Sequence, residues 1–294
     1  RRMAALLGER VGETVGYRTR GDTRVGAKTR IEVVTEGILT RMLQADPSLE
    51  GVAAVLFDEF HERSVHADLG LALALEARAL FREDLRIVVM SATIDVERTA
   101  ALLGGAAVVS AQGRMFPVET FYARQPGLTV AAAGTCAARA AAAALAAVRE
   151  HSEGDVLVFL PGAGEIRRCA AELAALGLPG GVRVAPLYGA LDAREQDEAI
   201  APARPGERKI VLATDIAETS LTVEGVRIVV DAGLRRTPRF SPRTGLAHLE
   251  TVPVTLASAE QRRGRAGRIA PGVCCRLWTE EEHRRLAPFS EPEL

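Results

Sequence analysis

The segment Val52–Ser64 reads VAAVLFDEFHERS, and its interpretation decides the fold expected for the whole chain. It begins with a short apolar run, VAAVLF, which is typical of a buried strand. Two acids, Asp58 and Glu59, follow this run directly. Open α/β sheets bind their ligands beyond the carboxyl ends of the strands. The segment therefore predicts two adjacent carboxylates at the ligand-binding edge of a sheet.

Strand-like apolar runs alternate with helical patterns on both sides of this segment. Such alternation predicts an α/β fold in which a mostly parallel sheet is flanked by helices. The 294 residues are enough for two domains of ordinary size. The segment Pro117–Gly127 interrupts the alternation, and an alanine-rich predicted helix, Ala131–Arg149, begins a second series. We expect two tandem domains of this class, residues 1–122 and 123–294.

The composition is that of a globular protein, with 48% hydrophobic and 26% charged residues. The formal net charge of −1 excludes a global basic field, so any nucleic-acid surface has to be local. Only Lys28 and Lys209 are lysines. The excess of arginine reflects either genomic base composition or a preference for planar, bidentate phosphate contacts.

The four cysteines show no CxxC or other metal-type spacing, which favours a reduced, cytoplasmic setting. The sequence also contains no apolar segment of about 18 residues and no signal-peptide pattern. We therefore expect no membrane partner.

The acids Asp58 and Glu59 form an arrangement of the Walker-B type, in which one acid holds Mg²⁺ and its neighbour polarises a water molecule. The next strand-like run ends in Ser91-Ala92-Thr93. Two adjacent parallel strands would then both end in polar groups over one site. The alternative is that the two acids are simply solvated.

The segment Gln261–Arg268, QRRGRAGR, alternates glycines with arginines, as if the backbone turned closely around an anion. In a helical turn Arg265 and Arg268 project from one face, where two guanidinium groups suit a polyphosphate. The alternative is a solvated, charged face.

The segment Ala213–Thr222, ATDIAETSLT, follows another strand-like run and carries four hydroxyl groups and two acids. This density of hydroxyl groups suits phosphate contacts that position a nucleic-acid strand without reading its bases. A capped loop would give the same composition.

These segments occur in an order that resembles a known family. The segments DEFH at 58–61, SAT at 91–93, ATDIAETSLT at 213–222 and QRRGRAGR at 261–268 together resemble a DEAH-box helicase of superfamily 2. The details DEFHERS, FLPGAGEI, PLYGAL and SPRTGL resemble its bacterial HrpB-like branch. The resemblance covers essentially the whole chain and implies two RecA-like domains.

The resemblance also implies roles for residues at an ATP site between the domains. Asp58 and Glu59 together would form the Mg²⁺ site, with Asp58 as the coordinating acid. Glu59 would also orient the attacking water, and His61 would link the domains. Gln261 would meet the γ-phosphate or the water, and Arg265 and Arg268 match the arginine fingers. The further positions assigned to the nucleotide and its coupling to movement are Arg2, Ser91, Thr93, Thr214, Asp215 and Gly264.

The implied partner is nucleic acid, in particular single-stranded RNA. The positions that the resemblance assigns to it are Thr35, Glu36, Gly37, Arg41, Thr219, Ser220 and Thr222. Two departures leave base preference open. No aromatic residue lies near Ile200, where relatives stack one on adenine, and Asp215 replaces the more usual Asn.

A Walker-B acid needs a Walker-A loop, GxxxxGK[ST], and the sequence contains none. The segment Gly21–Thr29 comes close, but it has one residue too many and precedes a strand-like run. We therefore expect the chain to be a fragment that lacks this loop and the C-terminal domains, and that hydrolyses ATP poorly by itself. His61 and His66 lie one residue too far apart for an HExxH zinc site.

The expected activity is nucleic-acid-dependent ATP hydrolysis that drives translocation or unwinding, with ATP and Mg²⁺ as cofactors. Two alternatives remain from the sequence. One is a non-hydrolysing nucleic-acid-binding scaffold without a P-loop, and the other is a metal-dependent hydrolase that uses the His61 region.

Overall fold

The computed structural model describes residues 1–60, 64–91, 96–111, 115–218, 221–241 and 245–289. Within these residues the chain forms two compact units, residues 1–110 and 111–289. His61 and Thr93, to which the sequence assigned roles, lie outside the described residues, as do Thr219 and Ser220.

The first unit contains two small sheets. One has three strands in the order β2-β1-β3, and the other is the parallel pair β4-β5. The strands are β1 (Val15–Thr19), β2 (Asp22–Arg24), β3 (Ile31–Val34), β4 (Ala54–Phe57) and β5 (Arg86–Val89). The helices are α1 (Arg2–Leu6), α2 (Glu36–Ala45), α3 (Val65–Leu80) and α4 (Val96–Leu102).

Strand β4 is buried on one face only. Val55 and Phe57 join a core with α2 and α3, whereas Leu56 is 58% exposed. The sequence predicted a buried strand, and among the described residues the structure confirms this burial for one of the two faces of β4. Helix α3 begins where the Ser64 side chain accepts a hydrogen bond from the backbone N–H of Ala67, as an N-cap residue does.

The second unit contains a six-stranded parallel sheet in the order β6-β13-β10-β7-β9-β8. A separate antiparallel hairpin is formed by β11 and β12. The strands are β6 (Val118–Tyr122), β7 (Asp155–Phe159), β8 (Val182–Leu187), β9 (Arg208–Ala213), β10 (Val226–Asp231), β11 (Leu234–Ser241), β12 (Leu246–Pro253) and β13 (Gly272–Arg276).

Helices flank this sheet. Every residue of β7 is buried, as expected of a parallel strand that is covered on both faces. The helices are α5 (Val130–Glu150), α6 (Ala163–Leu176), α7 (Ala193–Ile200), α8 (Leu256–Gly264) and α9 (Glu280–Arg284). The predicted α/β fold class is therefore confirmed. No helix in the described part of the chain has both the length and the apolar character that a membrane span requires.

The division between the units falls between Ser110 and Ala111, earlier than the expected boundary at residue 122. The reason is strand β6, which pairs in parallel with β13 from Val118 to Tyr122. Strand β13 lies about 150 residues later in the chain, so local sequence patterns do not reveal that β6 pairs with it. This long-range pairing makes β6 part of the second unit's sheet.

Candidate nucleotide and nucleic-acid site

In the first unit, Asp58 and Glu59 follow β4 at its carboxyl end, as predicted. Strands β4 and β5 run parallel with Phe57 opposite Val89, and the pairing continues beyond them. Met90 N–H donates to the Phe57 carbonyl at 2.8 Å, and Phe60 N–H donates to the Met90 carbonyl at 3.1 Å. These bonds bring the residues after the two strands to one edge of the pair.

The acids are held by a tight local turn. Asp58 is exposed and Glu59 is half-buried. The Asp58 Oδ1 atom accepts a hydrogen bond from the Glu59 N–H at 2.9 Å. Glu59 has a φ of +50°, which is uncommon for a residue other than glycine and often marks a functional turn. Phe60 anchors the turn, because it is buried and its ring meets Phe57 edge-on at 6.2 Å between centroids.

Ser91 is exposed two residues after β5 ends at Val89, so Asp58, Glu59 and Ser91 all follow the carboxyl ends of the two paired strands. Carboxylate oxygens are the hard ligands that Mg²⁺ prefers, and the exposed Asp58 carboxylate fits such a role. In the described residues, no group of three or more His, Cys, Asp or Glu side chains could hold a metal ion.

The residues predicted to contact nucleic acid in the first unit lie on α2. Thr35 is its N-cap residue, although its side chain makes no capping hydrogen bond. Thr35, Glu36 and Arg41 are exposed, and Gly37 is half-buried. Because Gly37 and Arg41 are four apart, the exposed guanidinium lies on the same helix face as the glycine. Arg2 is exposed on the short helix α1.

In the second unit, the segment after β9 forms a short 3₁₀ turn, Asp215–Ala217, with Thr214 as its N-cap residue. Thr214 is half-buried, and its N–H donates to the Leu187 carbonyl at 3.2 Å. Asp215 and Thr222 are exposed. The segment thus lies at the carboxyl end of the parallel strand β9, as the sequence predicted.

Helix α8 carries the half-buried Gln261, and a 3₁₀ turn, Arg265–Gly267, follows it. Arg268 ends this turn, is exposed, and donates from Nη1 to the Thr222 hydroxyl at 2.9 Å. The turn and the 214–222 segment are therefore neighbours.

Arg265 differs from the expectation that it shares an exposed face with Arg268. It is only 5% exposed. Its Nη1 donates to the Leu221 carbonyl at 2.7 Å, and its Nε donates to the Glu218 carbonyl at 2.9 Å. Three-residue spacing places both side chains on one side of a turn, but these carbonyls draw the Arg265 side chain inward.

The glycines of this segment also pack closely against the chain before β6. They were expected to let the backbone approach an anion. A Cβ atom on Gly264 would lie 2.9 Å from the Met115 methyl group, and one on Gly267 would lie 2.6 Å from the Phe116 carbonyl oxygen. The Gly267 carbonyl accepts from Phe116 N–H at 2.9 Å. Both glycines therefore allow the chain before β6 to pack closely against the turn.

A buried ionic network behind the turn was not predicted. Arg262 is 1% exposed and donates from Nε to the Glu218 carboxylate at 2.8 Å. Its Nη1 donates to the Asp231 carboxylate at 3.0 Å and to the Leu234 carbonyl at 3.3 Å. Its guanidinium lies 4.8 Å from the centre of the Phe159 ring. Burial by itself lowers the pKa of Arg262, but the two carboxylates outweigh it and raise that pKa.

One member of this network carries a signal that could have revealed it. Asp231 directly follows the short apolar run Ile228–Val230, as Asp58 follows the run that ends at Phe57. The same reasoning that selected Asp58 would have selected Asp231. Arg262, in contrast, is indistinguishable in sequence from the other arginines of QRRGRAGR.

Comparison with known proteins identifies the relatives of the chain. Residues 139–270 match the helicase conserved C-terminal domain. Over 293 residues, which is 100% of this chain, the sequence is 50% identical to the ATP-dependent RNA helicase HrpB of Escherichia coli K12. The chain is thus similar to a helicase over essentially its whole length. The resemblance drawn from the motifs is thereby confirmed.

A crystal structure of the Escherichia coli DEAH/RHA helicase HrpB matches with a TM-score of 0.91 and 50% identity, covering 99% of this chain and 36% of that one. The ATP-dependent RNA helicase HrpA homolog of Haemophilus influenzae is 36% identical, across 100% of this chain and 22% of its own length. The chain therefore spans about a third of the length of HrpB and a smaller share of the HrpA homolog. The fold is of the RecA-like class found in these helicases.

Proposed function

We propose that the chain is the part of an ATP-dependent RNA helicase that carries its Walker-B acids and its arginine fingers. The observation that carries this proposal is 50% identity to HrpB over 293 residues. This chain contains all four motifs in order within those residues. The polar residues of three of these motifs follow strands β4, β5 and β9 at their carboxyl ends, where α/β folds place their chemistry.

In this proposal Asp58 holds Mg²⁺ and Glu59 orients the water that attacks the γ-phosphate. Bound Mg²⁺ supplies neutralisation of phosphate charge. The exposed Asp58 carboxylate is suited to a hard cation, and the fixed turn at Glu59 sets the direction of its side chain. His61, Ser91 and Thr93 are proposed to relay hydrolysis to movement.

The second unit is proposed to supply the positive charge. Arg268 is exposed and held by the Thr222 hydroxyl, so its guanidinium suits contact with the transferring phosphate. Arg265 would have to leave the Glu218 and Leu221 carbonyls to act in the same way. Gln261 would assist at the water or the γ-phosphate. We propose that nucleotide bound by both domains draws them together and that hydrolysis releases them.

The proposed partner is single-stranded RNA, because relatives such as HrpB are named as RNA helicases. Local positive charge on α2, at Arg41, is compatible with phosphate contact without a global basic field. Thr35, Glu36, Gly37, Thr219, Ser220 and Thr222 are proposed to line the path of the strand. We place the protein in the cytoplasm, which suits its four free cysteines, three of them buried.

A non-hydrolysing RNA-binding scaffold is a second candidate, because the 294 residues contain no GxxxxGK[ST] motif. For the same reason, we expect the 294-residue chain by itself to hydrolyse ATP poorly or not at all. Robust turnover by the purified chain would contradict this expectation. The tests of ATP turnover, unwinding and ligand binding below therefore use the complete natural protein that contains these residues, called the complete protein. The unfolding and thiol-labelling tests use the 294-residue chain.

Strand separation by the complete protein tests the proposal. We expect it to unwind an RNA duplex with a single-stranded tail when ATP and Mg²⁺ are present, and not with AMP-PNP. Binding of the RNA without unwinding or ATP turnover would favour the scaffold instead.

A further inference from the structure

We propose that the buried ion pair between Glu218 and Arg262 couples the RNA-contacting segment to the arginine fingers. Arg262 is thus a positioning residue: it is not assigned to touch nucleotide or RNA. This inference rests on the proposed function and adds to it the path by which the two ligands affect each other.

Helix α8 and the turn that follows it bind Glu218, Leu221 and Thr222 through three arginines. Arg262 binds the Glu218 carboxylate, Arg265 binds the carbonyls of Glu218 and Leu221, and Arg268 binds the Thr222 hydroxyl. Glu218, Leu221 and Thr222 therefore cannot shift far without disturbing the turn that precedes Arg268. A phosphate that draws Arg268 away from Thr222 would likewise disturb the segment.

The Glu218–Arg262 ion pair is shielded from solvent and salt. The side chain of Arg262 is 1% exposed and that of Glu218 is 13% exposed. Buried pairs are screened by salt much less than exposed ones. Arg268, in contrast, is exposed, and its Thr222 contact is between a charged group and a neutral one.

Arg262 is also anchored in the core by a buried carboxylate. Asp231 is 0% exposed, and its Oδ1 atom accepts from both Arg262 Nη1 and the Gly233 N–H. Asp231 lies on β10, in the middle of the six-stranded sheet. One planar guanidinium therefore bridges strand β10 and Glu218, which precedes the residues assigned to RNA. Its Nη1 atom lies 3.0 Å from Asp231 Oδ1, and its Nε atom lies 2.8 Å from Glu218 Oε2.

The two carboxylates suggest different mutational consequences. Glu218→Gln removes the charge from the segment but leaves Arg262 paired with Asp231 and leaves the Glu218 carbonyl for Arg265. The fold should survive this change. Arg262→Lys keeps the positive charge but loses the fork that reaches both acids.

The test measures thermodynamic coupling in the complete protein. The dissociation constant of a short fluorescent oligouridine is measured with and without saturating AMP-PNP, and that of AMP-PNP with and without the RNA. Coupling between two sites is reciprocal, so both ratios must agree. In the wild type we expect each ligand to change the dissociation constant of the other by about 5–150-fold. In Glu218→Gln and in Arg262→Lys we expect this change to be no more than about twofold.

Two further measurements separate positioning from general damage. In Glu218→Gln the RNA affinity without nucleotide should stay within about twofold of the wild type, since coupling and intrinsic affinity are independent quantities. The double variant Glu218→Gln/Arg262→Lys should lose no more coupling than either single variant, because both changes abolish the same Glu218–Arg262 ion-pair geometry. Glu153→Gln, which removes the more exposed contact with Arg227, is the matched control and should keep full coupling.

Undiminished coupling in Glu218→Gln and Arg262→Lys would overturn this inference and leave the proposed function standing. A wild-type protein that shows no coupling between AMP-PNP and RNA would overturn both.

Discussion

The charged residues at and directly behind the proposed ATP contacts are held in opposite ways in the two units. In the first unit, Asp58 and Glu59 follow a strand with one exposed face, and the Asp58 carboxylate is held by a bond to its own neighbour. In the second unit, Arg262 and Arg265 are buried and bound to residues far away in sequence. Backbone conformation thus positions the acids, whereas a side-chain network positions the arginines.

Substitutions of the exposed and of the buried charges should therefore affect function and stability differently. Exchanging an exposed carboxylate that makes one local contact should change chemistry and leave the fold intact. Removing a buried guanidinium that neutralises a core carboxylate should weaken the fold first, since the remaining charge is left uncompensated. Arg268 lies on the second unit but resembles the acids, because it is exposed.

The largest expected effect comes from Arg268→Ala in the complete protein. We expect kcat for ATP to fall by about 10³-fold or more, the range for removing an arginine finger. Steady-state ATPase measurement at saturating RNA checks this. Arg194→Ala is the matched control, since Arg194 is an exposed arginine of the same unit whose side chain contacts Glu198. A near-normal rate in Arg268→Ala would assign Arg268 to the solvated surface.

Glu59→Gln should have the next largest effect. We expect turnover to fall by about 10²–10⁴-fold, as for loss of a group that activates water, while nucleotide binding is retained. Turnover and the affinity for a fluorescent ATP analogue are compared with those of Glu83→Gln, an exposed glutamate in the same unit. Loss of nucleotide binding in Glu59→Gln would show that Glu59 has a structural role.

Arg262→Ala tests the stability side of the comparison. We expect the second unit to lose about 3–5 kcal/mol of unfolding free energy, because Asp231 would remain buried without its partner. Urea unfolding followed by Trp278 fluorescence measures this unit, since Trp278 is the single tryptophan and is fully buried there. Asp58→Asn should leave the same transition within about 0.5 kcal/mol, as surface substitutions do. Equal stability of Arg262→Ala and the wild type would contradict the structural role of the network.

Thiol reactivity should show the smallest effect. All four cysteines lie in the second unit, and burial raises the pKa of Cys169 to about 12. Burial also raises the pKa of Cys136, Cys274 and Cys275. Because the thiolate is the reactive form, labelling of the folded chain at pH 8 should be slow, with the half-buried Cys275 first.

The same labelling experiment distinguishes the two modes of positioning. Arg262→Ala should accelerate labelling of the buried thiols, since it makes opening of the second unit easier, whereas Asp58→Asn should not. Rapid reaction of Cys169 in the folded wild type would be inconsistent with its burial.

Local sequence patterns predicted the features that depend on one segment. The positions of Asp58, Glu59 and Ser91 follow from strands that end at Phe57 and Val89, and the structure agrees. Likewise, Thr214 follows β9 as expected.

Features that depend on distant segments could not be predicted in this way. The pairing of β6 with β13 moves the division between the units, and the carbonyls of Glu218 and Leu221 draw Arg265 inward. The spacing within QRRGRAGR gives no indication of which guanidinium is buried, because the partners that decide it lie elsewhere in the chain.

The most direct test of the account is the ATPase rate of the complete protein with RNA, with DNA of the same sequence, and with no nucleic acid. The account predicts Mg²⁺-dependent hydrolysis that single-stranded RNA stimulates more strongly than DNA does. A rate that neither nucleic acid changes, or a complete protein that binds RNA but does not hydrolyse ATP, would contradict it.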